Sequence, residues 1–366
     1  MASIYIHIPF CDKICSYCDF CKVLYNSNLV DKYLDNLEKE VNDRYLGEVV
    51  DTIYIGGGTP SSLSILQLER LFSITKKINK SSFCEFTIEA NFESINKDKL
   101  DLFKKCGVNR LSFGLETVNP IHLKFLNREF DREHVIDMVK YAKEIGLDNI
   151  NIDLIYALVN QSTSDLKNDL DFIMSLDIRH ISTYSLIIED NTLLKYKNIK
   201  NIDEELDLEM YKFICKYLKD NGFIHYEISN FCKSNYQSKH NLVYWHNLEY
   251  YGFGLGASSY LNNKRFTNTR SFNKYFSGEY ILSSEDVNKH DRMEYEIMLG
   301  LRLSEGINKD IFYDKFGKRI DECYNYDVLM NNGFIVDDGD SLFIPEDKFY
   351  ISNEIIVQFI EGEKYG

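Results

Sequence analysis

Two hydrophobic periods take turns along the first two-thirds of the chain. Short runs rich in β-branched and aromatic residues predict strands at residues 3–8, 52–55, 83–89, 110–115, 149–156 and 180–186. Between them, stretches such as LVDKYLDNLEKEV, ILQLERLFSITKKI, REHVIDMVKYAKEIG and SDLKNDLDFIMSL repeat apolar residues at intervals of three and four, the spacing of helices with one buried face. Six strand-then-helix units predict an α/β protein with a parallel sheet and right-handed crossovers. Polar or glycine-rich residues stand at or just after the strand ends: a cysteine-rich loop, the GGGTP turn, Glu89, Glu116 and Asp153. That placement favours a partial (β/α)6 barrel over a doubly wound sheet, because the C-terminal rim of a parallel barrel is where sites are built.

After residue 222 the pattern changes. HYEISNF and HNLVYWHNLEYYGFGLGASSYL are rich in aromatics and glycine, and helices return from 291, ending in a turn-bounded strand pair and a last helix. The expected division is a core barrel over 1–222, an extension over 223–290 and a small α+β, winged-helix-like domain over 291–366.

Composition narrows the function. A chain of 366 residues at 44% hydrophobic can bury a large core. Its net charge of −15 lacks the basic footprint of a phosphate-backbone binder, so no nucleic-acid partner is expected. No basic-then-apolar leader pattern opens the chain and no run of about 18 apolar residues occurs, so the expectation is a cytoplasmic protein. Nine cysteines in such a chain read as metal-binding or catalytic thiols plus isolated core thiols, not as a disulfide framework. Cys84, Cys106, Cys215, Cys232 and Cys323 show no regular spacing and read as structural.

Cys11, Cys15 and Cys18 are different: they form C-x3-C-x2-C on a loop leaving the first strand. A structural zinc site normally takes four ligands in two separated pairs. Here there is one tight group, with Cys21 the nearest extra thiol. Three thiolates suit three irons of a [4Fe–4S] cluster and leave the fourth iron open to a ligand.

CDKICSYC followed by GGGTP resembles the radical S-adenosylmethionine (SAM) superfamily. YIHIPFC, IYIGGGTPS, TIEAN and HNLVYW narrow the resemblance to the oxygen-independent coproporphyrinogen III oxidase family, and within it to the haem chaperone branch. The resemblance implies a radical SAM barrel whose Cys11, Cys15 and Cys18 ligate the cluster, with SAM's amino and carboxylate groups on the fourth iron. It implies SAM contacts from Tyr5, Tyr17, the glycine motif Gly57, Gly58 and Thr59, and the acidic Glu89. Arg128 matches a position near the SAM carboxylate and Asp153 one at the ribose hydroxyls. His240, opening HNLVYW, matches a motif implicated in haem binding, with Tyr244 and Trp245 as stacking partners and His246 and His225 as weaker substitutes.

The chain departs from the family pattern in places. Glu116 stands where a ribose-contacting Gln is usual, Ala157, Val159 and Asn160 replace residues of G-L-P-G-Q, and Ser258 replaces a His. Cys21 follows the third ligand at C-x2-C, where decarboxylating members have C-x-C, and is read as a non-ligand thiol.

The resemblance implies a haem chaperone that binds haem and delivers it to haem-requiring respiratory proteins at the membrane. The alternative is a coproporphyrinogen III dehydrogenase that decarboxylates propionates to vinyls by radical chemistry. Ten residues precede Cys11, fewer than the covering segment of the decarboxylating enzymes, and with the displaced Cys21 and HNLVYW this tilts the expectation toward the chaperone. The implied cargo is haem or a porphyrin; dimerisation is left open.

Overall fold

A computed structural model of the chain describes residues 2–364. Its centre is a nine-stranded sheet. In chain order its first strands are β1 (Ala2–Ile8), β4 (Val50–Gly57), β5 (Lys80–Asn91), β6 (Arg110–Glu116), β7 (Ile150–Tyr156) and β8 (His180–Ser185), while the short β2 (Phe10–Cys11) and β3 (Val23–Leu24) pair only with each other. β1 and β4–β8 pair in parallel in sequence order, and they correspond to the six expected strands. The helices between them are α1 (Ser27–Arg44), α2 (Ile65–Thr75), α3 (Lys97–Lys105), α4 (Pro120–Leu126), α5 (Arg132–Glu144) and α6 (Thr163–Ser175). Their starts are set by side chains: Ser64 with Gln67 and Ser162 with Asp165 form capping boxes, and Asn96 and Asp131 accept from the first free amides.

Alternation along the strands decides what each face does. Phe86 and Ile88, Leu111 and Phe113, Ile152 and Leu154, and Ile181 join α2, α3, α5 and α6 in the main apolar core. The intervening residues, among them Tyr54, Glu89, Ser112, Asp153 and Ser182, line a single cavity. Five adjacent strands can present side chains to one cavity only if the sheet curls, so the α/β fold is the partial barrel with a polar lumen and an apolar outer layer.

The segment after 222 supplies strands to both edges of this sheet. β9 (Ile224–Glu227) and β10 (Asn230–Cys232) pair antiparallel beyond β8, and β11 (Tyr251–Phe253) pairs parallel to β1. A separate antiparallel sheet holds β12 (Ser258–Leu261), β13 (Lys264–Asn268) and β14 (Ile281–Asp286). Helices α7 (Leu193–Tyr196), α8 (Glu204–Asp220), α9 (Lys239–Trp245) and α10 (Phe272–Phe276) complete this region. The C-terminal part combines α11 (Lys289–Gly300), α12 (Lys309–Phe316), α13 (Ile320–Cys323), α14 (Asp327–Asn331) and α15 (Ser352–Glu361) with a small sheet of β15 (Ile307–Asn308), β16 (Val336–Asp337) and β17 (Ser341–Phe343). No helix among the described residues is long and apolar enough to cross a membrane.

A buried carboxylate ties α1 to the later segment. Glu40 accepts from the Gly254 amide (2.8 Å), the Tyr275 hydroxyl (2.7 Å), Asn268 Nδ2 (2.7 Å) and Arg44 Nη1. Glu40→Ala strands these donors in the interior, so urea unfolding should show a loss of about 3–5 kcal/mol. A loss below about 1 kcal/mol would place water, not Glu40, at the centre of this junction.

Candidate functional site

The cysteine loop is held at both ends. β2 and β3 pair Phe10 with Val23 and Cys11 with Leu24, pinching the loop at its base. At its far side the Ser16 amide and hydroxyl donate to the carbonyls of Leu126 (3.0 Å) and Phe125 (2.7 Å), and Asn127 Nδ2 donates to the Ile14 carbonyl (2.8 Å). Asn127 adopts a left-handed conformation that ends α4 and aims its amide back at the loop.

Cys11, Cys15 and Cys18 line one cavity of about 440 Å³ at the strand ends. All nine cysteines are free thiols. Burial pushes the Cys11 thiol up to about 11 and Cys15 to about 12, with Cys18 raised as well. Such thiols become thiolates when a metal takes the proton's place. No histidine and no fourth cysteine lines this cavity, so the donor set fits a three-thiolate [4Fe–4S] cluster and does not fit a closed four-ligand zinc site.

Beside the thiols the end of β4 forms a close-packed cradle. Glu89 on β5 accepts from the Tyr54 hydroxyl (2.8 Å) and the Gly57 amide (2.9 Å). A Cβ on Gly56 would lie 2.7 Å from the Glu89 carboxyl, and Gly57 has φ +116°, so neither position accepts a side chain. Thr59 donates its hydroxyl to Cys11 Sγ (3.7 Å) and accepts from Asn91 Nδ2 (3.1 Å). Asp153 accepts from Asn151 Nδ2 (2.8 Å). Burial, and then the nearby Glu89, push Asp153 up to about 6, and burial raises Glu89 itself. Two buried carboxylates with glycine-exposed backbone suit a ligand carrying an ammonium, a sulfonium and hydroxyls, which is what SAM presents.

Tyr17 and Arg128, both expected near SAM, are joined through Glu116. Tyr17 donates its hydroxyl to Glu116 (2.8 Å), which also accepts from Arg128 Nη1 (2.7 Å). The rest of the Arg128 fork is spent on Glu93 (2.6 and 2.9 Å) and the Gly114 carbonyl (2.9 Å). Arg128 is therefore engaged as a positioning residue for Glu116, and it lines the same cavity as the three thiols. Burial outweighs Arg128 at Glu116 and pushes its carboxyl up to about 7.

Tyr5 and His240 lie outside this cavity's lining. Tyr5 does not line this cavity; its hydroxyl bonds His7 Nδ1 (2.9 Å), and both residues line a second cavity of about 510 Å³. His240 is buried and stacked on Tyr54, with Nδ1 bonded to Thr52 Oγ1 (2.6 Å) and Nε2 to the Tyr244 hydroxyl (2.8 Å). Burial lowers its pKa to about 3, so the ring is neutral; both nitrogens are engaged in hydrogen bonds, and His240 lines neither this cavity nor the second. His246 bonds Glu305 (2.7 Å), and His225 stacks on Phe231. Tyr244, Ser258 and Cys21 do line the second cavity, which meets the first along Asp19 and Phe20. Ala157 and Asn160, at the positions of the family's glycines, both carry positive φ (59° and 60°). Asn tolerates that conformation more readily than Ala. Glu93, Tyr54, Ser16 and Arg110 were missed; polar residues recurring at every second position of otherwise buried strands were the available signal for Tyr54 and Arg110.

Comparison with known proteins adds to this geometry. Residues 5–173 match the Radical SAM superfamily and 287–347 the HemN C-terminal domain. The chain is 36% identical to the heme chaperone HemW of Lactococcus lactis, over 98% of this chain and 97% of that protein. It is also 36% identical to the heme chaperone HemW of Bacillus subtilis, over 98% of this chain and 99% of that one. Coproporphyrinogen III oxidase (HemN) from Escherichia coli, described as a radical SAM enzyme, superposes with a TM-score of 0.86 at 21% identity, covering 97% of this chain and 89% of its own.

The buried Glu116 predicts a pH dependence. Its folded pKa, about 7, lies above the ordinary 4.5, so the folded protein holds this proton more tightly than the unfolded chain does. Its contribution is fully present below pH 4.5 and is lost as pH rises through about 7. Glu116→Gln should flatten thermal stability against pH across that window; an unchanged slope would assign the dependence to other carboxyls.

Proposed function

The chain belongs to the radical SAM superfamily and, within it, to the group of heme chaperone HemW proteins, and from that premise we propose that it binds haem in the cytoplasm and hands it to haem-requiring respiratory proteins at the membrane. The end-to-end likeness to heme chaperones carries this reading. When bound, a [4Fe–4S] cluster with SAM supplies one-electron redox chemistry.

The chain's own residues do the rest. Cys11, Cys15 and Cys18 hold the cluster, and Tyr17, fixed by Glu116, keeps the loop that carries them closed against β6. Glu89 and Asp153 accept from the amino and ribose groups of SAM, and the backbone at Gly57, Gly58 and Thr59 lets its methionine end approach. Haem is assigned to the second cavity, whose walls include Tyr5, Phe20, Tyr244 and Tyr250 and offer flat aromatic surface beside the cluster loop. The decarboxylating alternative has the likeness to coproporphyrinogen oxidase behind it, and at 21% identity that likeness speaks for the fold alone.

The test offers haem and coproporphyrinogen III in parallel to cluster-loaded protein with SAM and reductant under anaerobic conditions. A stable Soret band with no vinyl product is expected. Conversion to protoporphyrinogen with matching 5′-deoxyadenosine would overturn the chaperone assignment.

A further inference from the structure

Two arginines line the lumen, one at the start of β6 and one between α4 and α5, and they are treated in opposite ways. Arg128 spends its fork on two carboxylates and a carbonyl. Arg110, the first residue of β6, is only 2% exposed and lines the 440 Å³ cavity, yet its guanidinium makes no hydrogen bond or ion pair among the described residues, and Nε is buried without any partner. Its neighbour across the β5–β6 ladder, Thr87, is fully buried and its hydroxyl is also without a partner. Other polar groups facing the lumen are satisfied: Asn151 bonds Ser112, Asp153 and His180, and Glu89 bonds Tyr54 and Gly57.

A buried guanidinium without an acceptor is costly, and water or an anion must answer it. Glu89 and Asp153 line the same cavity but neither comes within ion-pair distance of Arg110, and both already hold other donors. What is open at this place is a planar, five-donor cation facing the cavity, the geometry that matches a carboxylate. We propose that Arg110 anchors an anionic subsite in the barrel lumen that takes the carboxylate of a ligand arm reaching in beneath the SAM cradle. Resting on the chaperone reading, which seats the porphyrin in the second cavity, that arm is a propionate of haem reaching into the first cavity across the seam the two share at Asp19 and Phe20. The subsite gives the lumen a means to tell a tetrapyrrole with free acid side chains from one without them.

The experiment compares haem with haem dimethyl ester, which lacks both carboxylates, on cluster-loaded wild type and on Arg110→Met. Wild type should bind the free acid more tightly than the ester by roughly tenfold or more, the size of a charge-assisted pair of hydrogen bonds. Arg110→Met should bind both at the ester's affinity. The ligand-free variant should unfold at or above the wild-type temperature, because it loses an unpaired buried charge; a merely structural arginine would lower it. A variant that keeps the wild-type preference, or one that loses SAM binding with the preference intact, overturns the subsite and returns Arg110 to the fold or the cofactor cradle. Wild type that binds haem without preferring the acid rejects this inference alone, whereas wild type that binds no haem rejects the chaperone reading beneath it.

Discussion

Tyr17, between the second and third of the clustered cysteines, hangs on Glu116, and Glu116 hangs on Arg128, which Glu93 holds from the other side. This buried chain of charge-assisted bonds joins the cysteine loop to the end of β6. A loop tied only at its base would let three thiols drift apart, and a cluster with three protein ligands needs them converging before iron arrives. The chain is also why a glutamate is tolerated where relatives are expected to have an amide. Its extra charge is set against Arg128, which itself faces two carboxylates, so the group sits near the point of losing or keeping its proton.

The same logic runs through the lumen. Outward residues of β5–β8 are apolar and pack under helices, while inward ones are polar and surround a cavity. A lumen filled with aliphatic side chains would be a more stable core and would have no room for a cofactor. Here stability is left to the outer layer and to junctions such as Glu40, and the interior is free for binding. The two cavities share Asp19 and Phe20, so whatever fills the second one touches the loop that carries the cluster ligands.

Much of this was legible in the chain. Period-two strand patterning and helical three-and-four spacing marked the six barrel strands β1 and β4–β8, and the cysteine spacing with GGGTP located the thiol cavity, because both signals are local in sequence. What escaped was non-local. β9–β11 are short and lie in an aromatic, glycine-rich stretch, and nothing in three or four residues announces which sheet edge they will cover. Arg128 matched a cofactor contact by position, but Glu93, from another loop, takes its fork, and a pairing between separate loops leaves no periodic trace. His240 looked available because its motif is rich in aromatics; the residues that close it, Thr52 on β4 and Tyr244, meet it only in three dimensions.

The claim from which the rest follows is that three cysteines hold a cluster whose remaining iron is open. Mössbauer spectroscopy on the isotopically enriched, reconstituted cluster tests it most directly. One iron should differ from the other three, and adding SAM should change the parameters of that iron alone. Four irons that are alike and indifferent to SAM would mean a fourth protein ligand closes the site, and the account of the cavity would fail.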